Sequence, residues 1–329
     1  MSAVQEHADD NAKDTALCDF VDMNIGGQAV IEGVMMRSHN VVATAVRLPD
    51  GSIELKKRPF VSLVKRHRCL DVPIIRGAVN FFEMLMIGLD TLNWSADIQM
   101  RYEDKQKKEI TAGDGSFWNT LMLGGSILFA FIMAMGIFFA LPIYIATLLG
   151  LTRGAFLFNL VAGIIRLNLL LLYIFSISKI PDIKRVLRYH GAEHMCIYTL
   201  ELSHELNVES ARDKSRFHPR CGTSFLLIVA LFSIVFFGIA DSIFPHIFKH
   251  IQSFPERLVT HLLLLPFVAG VSYELLKLSG KFRSKLLVKF LIAPGLWLQT
   301  MTTAKPDDGM LEVALCALKA ALDREDTSR

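Results

Sequence analysis

His190, Glu193 and His194 fall at H-x-x-E-H spacing inside the run Tyr189-His-Gly-Ala-Glu-His-Met195. At 3.6 residues per turn, positions i, i+3 and i+4 share one helix face. Two imidazoles there can hold a divalent cation while the carboxylate between them takes a proton from water. A helix lying on a membrane surface would carry the same two histidines simply as amphipathic side chains, and spacing alone leaves both readings open. The surrounding pattern predicts a helix over residues 183–206, with Glu201 two turns further along the same face.

A second block, Phe217-His-Pro-Arg-Cys-Gly222, supplies His218 and Cys221 as candidates for a third ligand. Imidazole and thiolate both suit zinc, so the expected cofactor is a divalent metal, zinc, with a fourth position open to water. The same block also reads as a tight Pro/Gly loop whose His and Cys pack at the membrane interface. Glu274 is an alternative third ligand, because inverted zincins recruit a distant downstream glutamate. Its plainer role is to pair with a neighbour such as Lys277.

The elements that must position these residues belong to a membrane protein. Of 329 residues, 52% are hydrophobic and 20% charged, with 23 Phe and 13 Met, and the mean hydropathy is +0.39; few soluble domains carry so much apolar surface. A net charge of +3 is too mild to imply nucleic acid, and no nucleic-acid partner is expected. The basic residues cluster beside apolar runs, where membrane lipids would meet them. Five scattered cysteines fit a reducing compartment.

Residues 1–23 are polar and expected to be disordered, and residues 24–72 read as a small β-rich cap with a Pro49-Asp50-Gly51 hairpin. Residues 73–116 hold an amphipathic interfacial helix and a basic linker. A transmembrane bundle occupies 117–304, with a loop at 179–222 carrying the candidate site, and a short amphipathic helix and charged tail fill 305–329. Four crossings are expected: Phe117–Leu149 with a tilt or kink near Pro142, Ala155–Ser178, Thr223 to about Ala240 ending at Asp241, and Leu258–Tyr273. The run Leu286–Thr300, broken at Pro294-Gly295, reads as interfacial or re-entrant. The fold class is thus a mainly α-helical polytopic membrane protein with a β-rich cap.

Lys and Arg crowd the N-terminal third, residues 179–220 and residues 277–289. The positive-inside rule places both termini and the candidate site in the cytoplasm of a multi-pass cell-membrane protein. Arg166, mid-span, should face the bundle and meet an acidic or carbonyl partner. Glu32 and Arg37 flank a Gly-containing turn and are read, with Arg166, as substrate-binding or structural residues. Gly26-Gly27 would let backbone approach a ligand closely.

The blocks Ile25–Arg37, Tyr189–His194, Phe217–Phe225 and Ala293–Thr300 resemble the bacterial YqhQ-like family, a family of unknown function described as predicted metal-dependent membrane enzymes. The resemblance runs from about Asn24 to Ala317. It implies that the His/Glu and His/Cys blocks belong to one recurring unit in a bacterial inner-membrane protein, and it supplies no substrate. Two functions follow as expectations. One is a membrane-embedded hydrolase acting on a peptide or lipid headgroup, with Glu193 as general base and metal on His190, His194 and His218 or Cys221. The other is a non-catalytic scaffold or small transporter with a structural or sensing metal site.

Overall fold

A computed structural model describes residues 25–107, 117–151, 156–202, 205–219, 221–281 and 286–322. The expected disordered segment 1–23 and the charged tail after Leu322 lie outside the described residues, as do the side chains of the basic patch at 277–289.

The cap is a four-stranded antiparallel meander, β1 (Gly26–Val30), β2 (Gly33–Arg37), β3 (Val41–Arg47) and β4 (Ile53–Pro59), in that spatial order. The β1–β2 hairpin turns on Ile31 and Glu32, and Glu32 takes a positive φ of 54° at the second turn position. The Pro49-Asp50-Gly51 turn joins β3 to β4, with the Asp50 carboxylate accepting from the Ser52 N–H at 2.9 Å.

Side chains alternate across the sheet, and both faces are buried. Val34, Met36, Ala43 and Ala45 pack against helices α6 (Pro181–Leu202) and α11 (Asp308–Leu322). Val30, Met35, Val42 and Val46 pack against Ile87, Leu92 and Trp94 of α2 (Ile75–Lys107), which follows the one-turn helix α1 (Leu63–Arg66). Leu311 and Leu318 of α11 are almost wholly enclosed; burying each contributes about 2 kcal/mol relative to exposure. The sheet and α11 therefore sit at the same end of the molecule, against α6.

Among the described residues, four helical stretches are long and apolar enough to cross a bilayer: Gly124–Leu148, Phe156–Ile177, Gly222–Phe248 and Phe254–Leu275. Their outward faces carry Phe129, Phe131, Leu172 and Leu263 exposed, as hydrocarbon solvent would require. The first span joins α3 (Phe117–Met135) to α4 (Leu141–Leu148) through a π turn at Gly136–Ala140. This distortion lies beside Pro142, where a kink is expected. Pro142 has no N–H for the carbonyl four residues back, which is Phe138 O, and the Arg166 Nε–H donates to that oxygen at 2.9 Å. Arg166 lies on α5 (Phe156–Ile177) and thus finds the carbonyl partner expected of it.

Two boundaries differ from expectation. α8 (Gly222–Phe248) runs seven residues past Asp241, and α9 (Phe254–Lys281) starts four residues before Leu258 and takes in Arg257. Charged residues end a span in a sequence reading, but here Asp241 Oδ2 and Arg257 Nη2 neutralise one another at 2.6 Å, so the helices continue. The Pro294-Gly295 break is likewise absent. α10 (Leu286–Thr302) passes through it, and Gly295 lets the helix close onto α8, since a Cβ there would lie 2.6 Å from Ser224 Cβ. The short α7 (Val208–Arg212) completes the elements around the site.

Candidate metal centre

Pro181 opens α6 at a position that needs no N–H, and Asp182 places negative charge at the positive end of the helix. From Tyr189 to Leu200 the helix is buried on nearly every side. It is not a membrane-surface helix with one wet face. The β1–β2 hairpin covers it from one direction and residues 302–306 from another. Glu32 fastens the hairpin to it, pairing with Arg185 (Nη2 to Oε2, 2.6 Å) and accepting from the Tyr189 hydroxyl at 3.3 Å. Gly191 admits the other cover, because a Cβ at that position would lie 2.1 Å from Ala304 O.

These covers orient the histidines. His190 Nδ1 is 2.7 Å from Thr302 O, and His194 Nδ1 is 2.5 Å from Arg216 O. A carbonyl only accepts, so each Nδ1 carries the proton and each Nε2 presents a lone pair. This backbone anchoring is the pattern that fixes metal-ligating imidazoles. His194 Nε2 is buried and meets no hydrogen-bond partner among the described residues. Burial pushes the His194 imidazole below its ordinary value, against the pull of Cys221, which keeps it neutral as a ligand must be.

Cys221 completes the group. Ligand atoms of His190, His194 and Cys221 lie within 4.8 Å of one another, and Cys221 Sγ is 3.3 Å from His190 Nε2. A tetrahedral zinc with bonds of about 2.3 Å to sulfur and 2.0 Å to nitrogen has an S···N edge of about 3.5 Å, so the donor set fits that ion. Cys221 is the N-cap of α8 and its sulfur accepts from the Thr223 N–H at 3.4 Å. The positive end of a 27-residue helix suits a ligand that carries negative charge.

The other candidates separate. Glu193 is enclosed, with one carboxylate oxygen 4.0 Å from His190 Nε2. Burial pushes its carboxyl above the usual range, opposed by His190, His218 and a hydrogen bond from the Gly27 backbone. His218 stands beside His194, ring centroids 5.8 Å apart, but its Nε2 is 3.3 Å from Glu201 Oε1, and it is outside the three-donor group. Glu274 is likewise outside the three-donor group. It binds Arg76 through both oxygens at 2.6 Å, tying α9 to α2. Arg37 lies over the Phe60 ring at 4.2 Å and 4.0 Å from Glu83, a packing role at the end of β2.

One residue escapes sequence reasoning. Gln299, wholly buried, accepts from the His218 N–H at 2.7 Å and donates to His218 O at 2.8 Å, clamping the loop that carries His218 and Cys221. The available signal was an uncharged amide directly after the apolar run Leu296-Trp-Leu298. Gly27 does admit a close approach, but what approaches is Glu193: a Cβ would lie 2.8 Å from its Cγ and 2.7 Å from Met35 O. Gly27→Ala is therefore expected to destabilise the purified protein by about 1–3 kcal/mol, as overpacking does. Gly26→Ala, whose Cβ meets nothing within 4 Å, should stay within about 0.5 kcal/mol of wild type. Equal melting temperatures for the two variants would refute the contact.

A family model for proteins of unknown function, DUF1385, matches residues 72–324. The protein of Bacillus subtilis (strain 168) called uncharacterized protein YqhQ is 34% identical over 315 residues, covering 92% of this chain and 93% of the relative. No solved structure matches. The chain belongs to the DUF1385 family.

Proposed function

We propose that this protein is a metal-dependent hydrolase whose site lies where the cap meets the membrane bundle, acting on a peptide or a lipid headgroup at the membrane surface. The observation that carries the reading is the buried His190/His194/Cys221 group, with both Nδ1 atoms at backbone carbonyls, His190 Nε2 beside the Cys221 sulfur and His194 Nε2 without a hydrogen-bond partner among the described residues. A divalent ion such as zinc on those three donors would supply Lewis acidity to the scissile group. Glu193, in its carboxylate form, would take a proton from the attacking water as the water oxygen bonds to the scissile carbon or phosphorus. The same carboxyl would then return that proton to the leaving group as the scissile bond breaks. His218, its Nε2 turned to Glu201, would stand beside His194 without a direct part in the step. A scaffold or small transporter with a structural metal site would need a closed four-donor shell, and His218 would have to leave Glu201 to close it.

The test is metal content first: full-length protein purified without chelator should carry about one equivalent of zinc. A protein that arrives empty and takes up no added zinc would overturn the reading.

We also propose that the cap end faces the cytoplasm of a bacterial inner membrane, on the strength of the basic residues at 179–220. Reporter fusions after Ser178 and after Ala304 should then read as cytoplasmic, and one near Gln252 as exterior. A cytoplasmic reading at Gln252 would reject this orientation.

A further inference from the structure

A second group of polar side chains is sunk into the apolar spans at the end of the bundle remote from the metal centre. Arg257 and Asn159 lie three residues inside the starts of α9 and α5. Asp241 lies seven residues inside the end of α8, His261 seven inside the start of α9, and Arg166 ten inside the start of α5. At 1.5 Å per residue these depths are about 5, 10 and 15 Å, so three helices carry one polar column in register from the rim toward the midplane.

The contacts within the column are specific. Asp241 Oδ2 is 2.6 Å from Arg257 Nη2, and its Oδ1 is 3.0 Å from His261 Nε2. Arg257 also donates to Asn159 Oδ1. His261 stacks on Phe237 at 4.1 Å and meets Phe139 edge-on at 6.0 Å, and Arg166 lies 5.0 Å over that same Phe139 ring. Asp241 and His261 are 3% and 4% exposed.

The charges do not balance. Arg166 and Arg257 against Asp241 leave one net positive charge in the column, with Arg166 in electrostatic reach of the other two. Arg257 is taken by Asp241. Arg166 donates through Nε to Phe138 O, and among the described residues its guanidinium makes no further hydrogen bond and no ion pair. An uncompensated charge at this depth is strongly disfavoured, so intramembrane ionisable residues mark ligand or ion sites. The Asp241 carboxylate accepts from His261 Nε2–H, which leaves Nδ1 as a lone-pair acceptor; that atom is buried and has no partner among the described residues.

A single anion would bring the sum to zero. We infer that this column is a binding site for one singly charged oxyanion that also bears a hydroxyl, carried by a phosphate group. The oxyanion would meet Arg166, and the hydroxyl would donate to His261 Nδ1. Dihydrogen phosphate and the phosphatidylglycerol headgroup both have this chemistry, and the site is independent of the metal centre.

The test uses the full-length protein in an uncharged detergent. Native mass spectrometry with phosphatidylglycerol against phosphatidylcholine reads the lipid source, and calorimetric titration with sodium phosphate against sodium chloride reads the free anion. One equivalent of phosphatidylglycerol or of phosphate should bind the wild type, and Arg166→Gln should weaken it at least about tenfold, the scale of a lost charge-assisted hydrogen bond. His261→Phe keeps the arginines and the carboxylate as well as the stack on Phe237, and should weaken binding severalfold. It carries the test if Arg166→Gln does not fold, judged by monodisperse elution. Binding of phosphatidylglycerol alone assigns the site to a lipid headgroup, and binding of phosphate assigns it to the free anion. The inference falls if neither binds the wild type better than its control, or if the variants that fold bind as the wild type does.

Discussion

Replacing His190 and His194 together by alanine is expected to take zinc in the purified protein from about one equivalent to less than about a tenth. The reason is geometric. The two imidazoles supply two of three donors, and each is held in place by a backbone carbonyl, Thr302 O or Arg216 O, that no side-chain substitution removes. Without them only Cys221 remains, a single sulfur that cannot chelate. The single variants should grade. Cys221→Ala removes one of the clustered donors and should cost more affinity than His218→Ala, because His218 already points its Nε2 at Glu201. His218→Ala should fall nearer the ten- to hundredfold range of residues that support ligands without binding metal, about the effect also expected of Gln299→Ala through its clamp on the same loop. Wild-type zinc in the double histidine variant would reduce the motif to a buried helix face. An inverted order for Cys221 and His218 would move the third donor to the imidazole.

Much of this was legible in the sequence wherever the determining contacts are local. The i, i+4 spacing already fixes His190 and His194 on one face, and the Asp-Gly turn, the four apolar spans and the distortion beside Pro142 depend on neighbours a few residues away. What resisted reading depends on distant segments. His218 and Cys221 are three residues apart, and the choice between them is made by Glu201 on α6 and by the N-terminus of α8. The amphipathic pattern of α6 reads as a surface helix because the hairpin at Glu32 and the turn at Ala304, more than a hundred residues away on either side, are what enclose it. Glu274 is a plausible ligand by position until Arg76, 198 residues earlier, claims both of its oxygens. Asp241 reads as the end of a span because it is a charge in apolar sequence; paired with Arg257, it lets both helices run on. Arg166 and Pro142 were each conspicuous alone, and only the fold shows that one repairs the hydrogen bond the other cannot make.

Glu193→Gln separates a hydrolase from a scaffold. Glutamine keeps the volume and one carbonyl oxygen, so the Gly27 N–H retains an acceptor and the packing against β1 survives. Glu193 is not among the three clustered donors, so zinc should remain at about one equivalent. The amide carries no charge to bury and keeps the side chain's shape, so the melting temperature should not fall. What the amide cannot do is accept a proton from water and hand it to a leaving group, and general-base losses of this kind cost about 10²–10⁴ in rate. In a strain lacking the chromosomal copy, the variant should therefore fail to restore whatever phenotype the deletion shows, while a scaffold carrying the same change would restore it. The comparison needs Glu201→Gln beside it, since that substitution disturbs His218 without touching the proposed base. If Glu193→Gln complements fully and holds its zinc, the hydrolase has lost its base and the metal serves to pin the 216–221 loop to α6. If it holds its zinc and fails to complement while Glu201→Gln largely succeeds, the loss lies in proton transfer at Glu193 and not in the shape of the site.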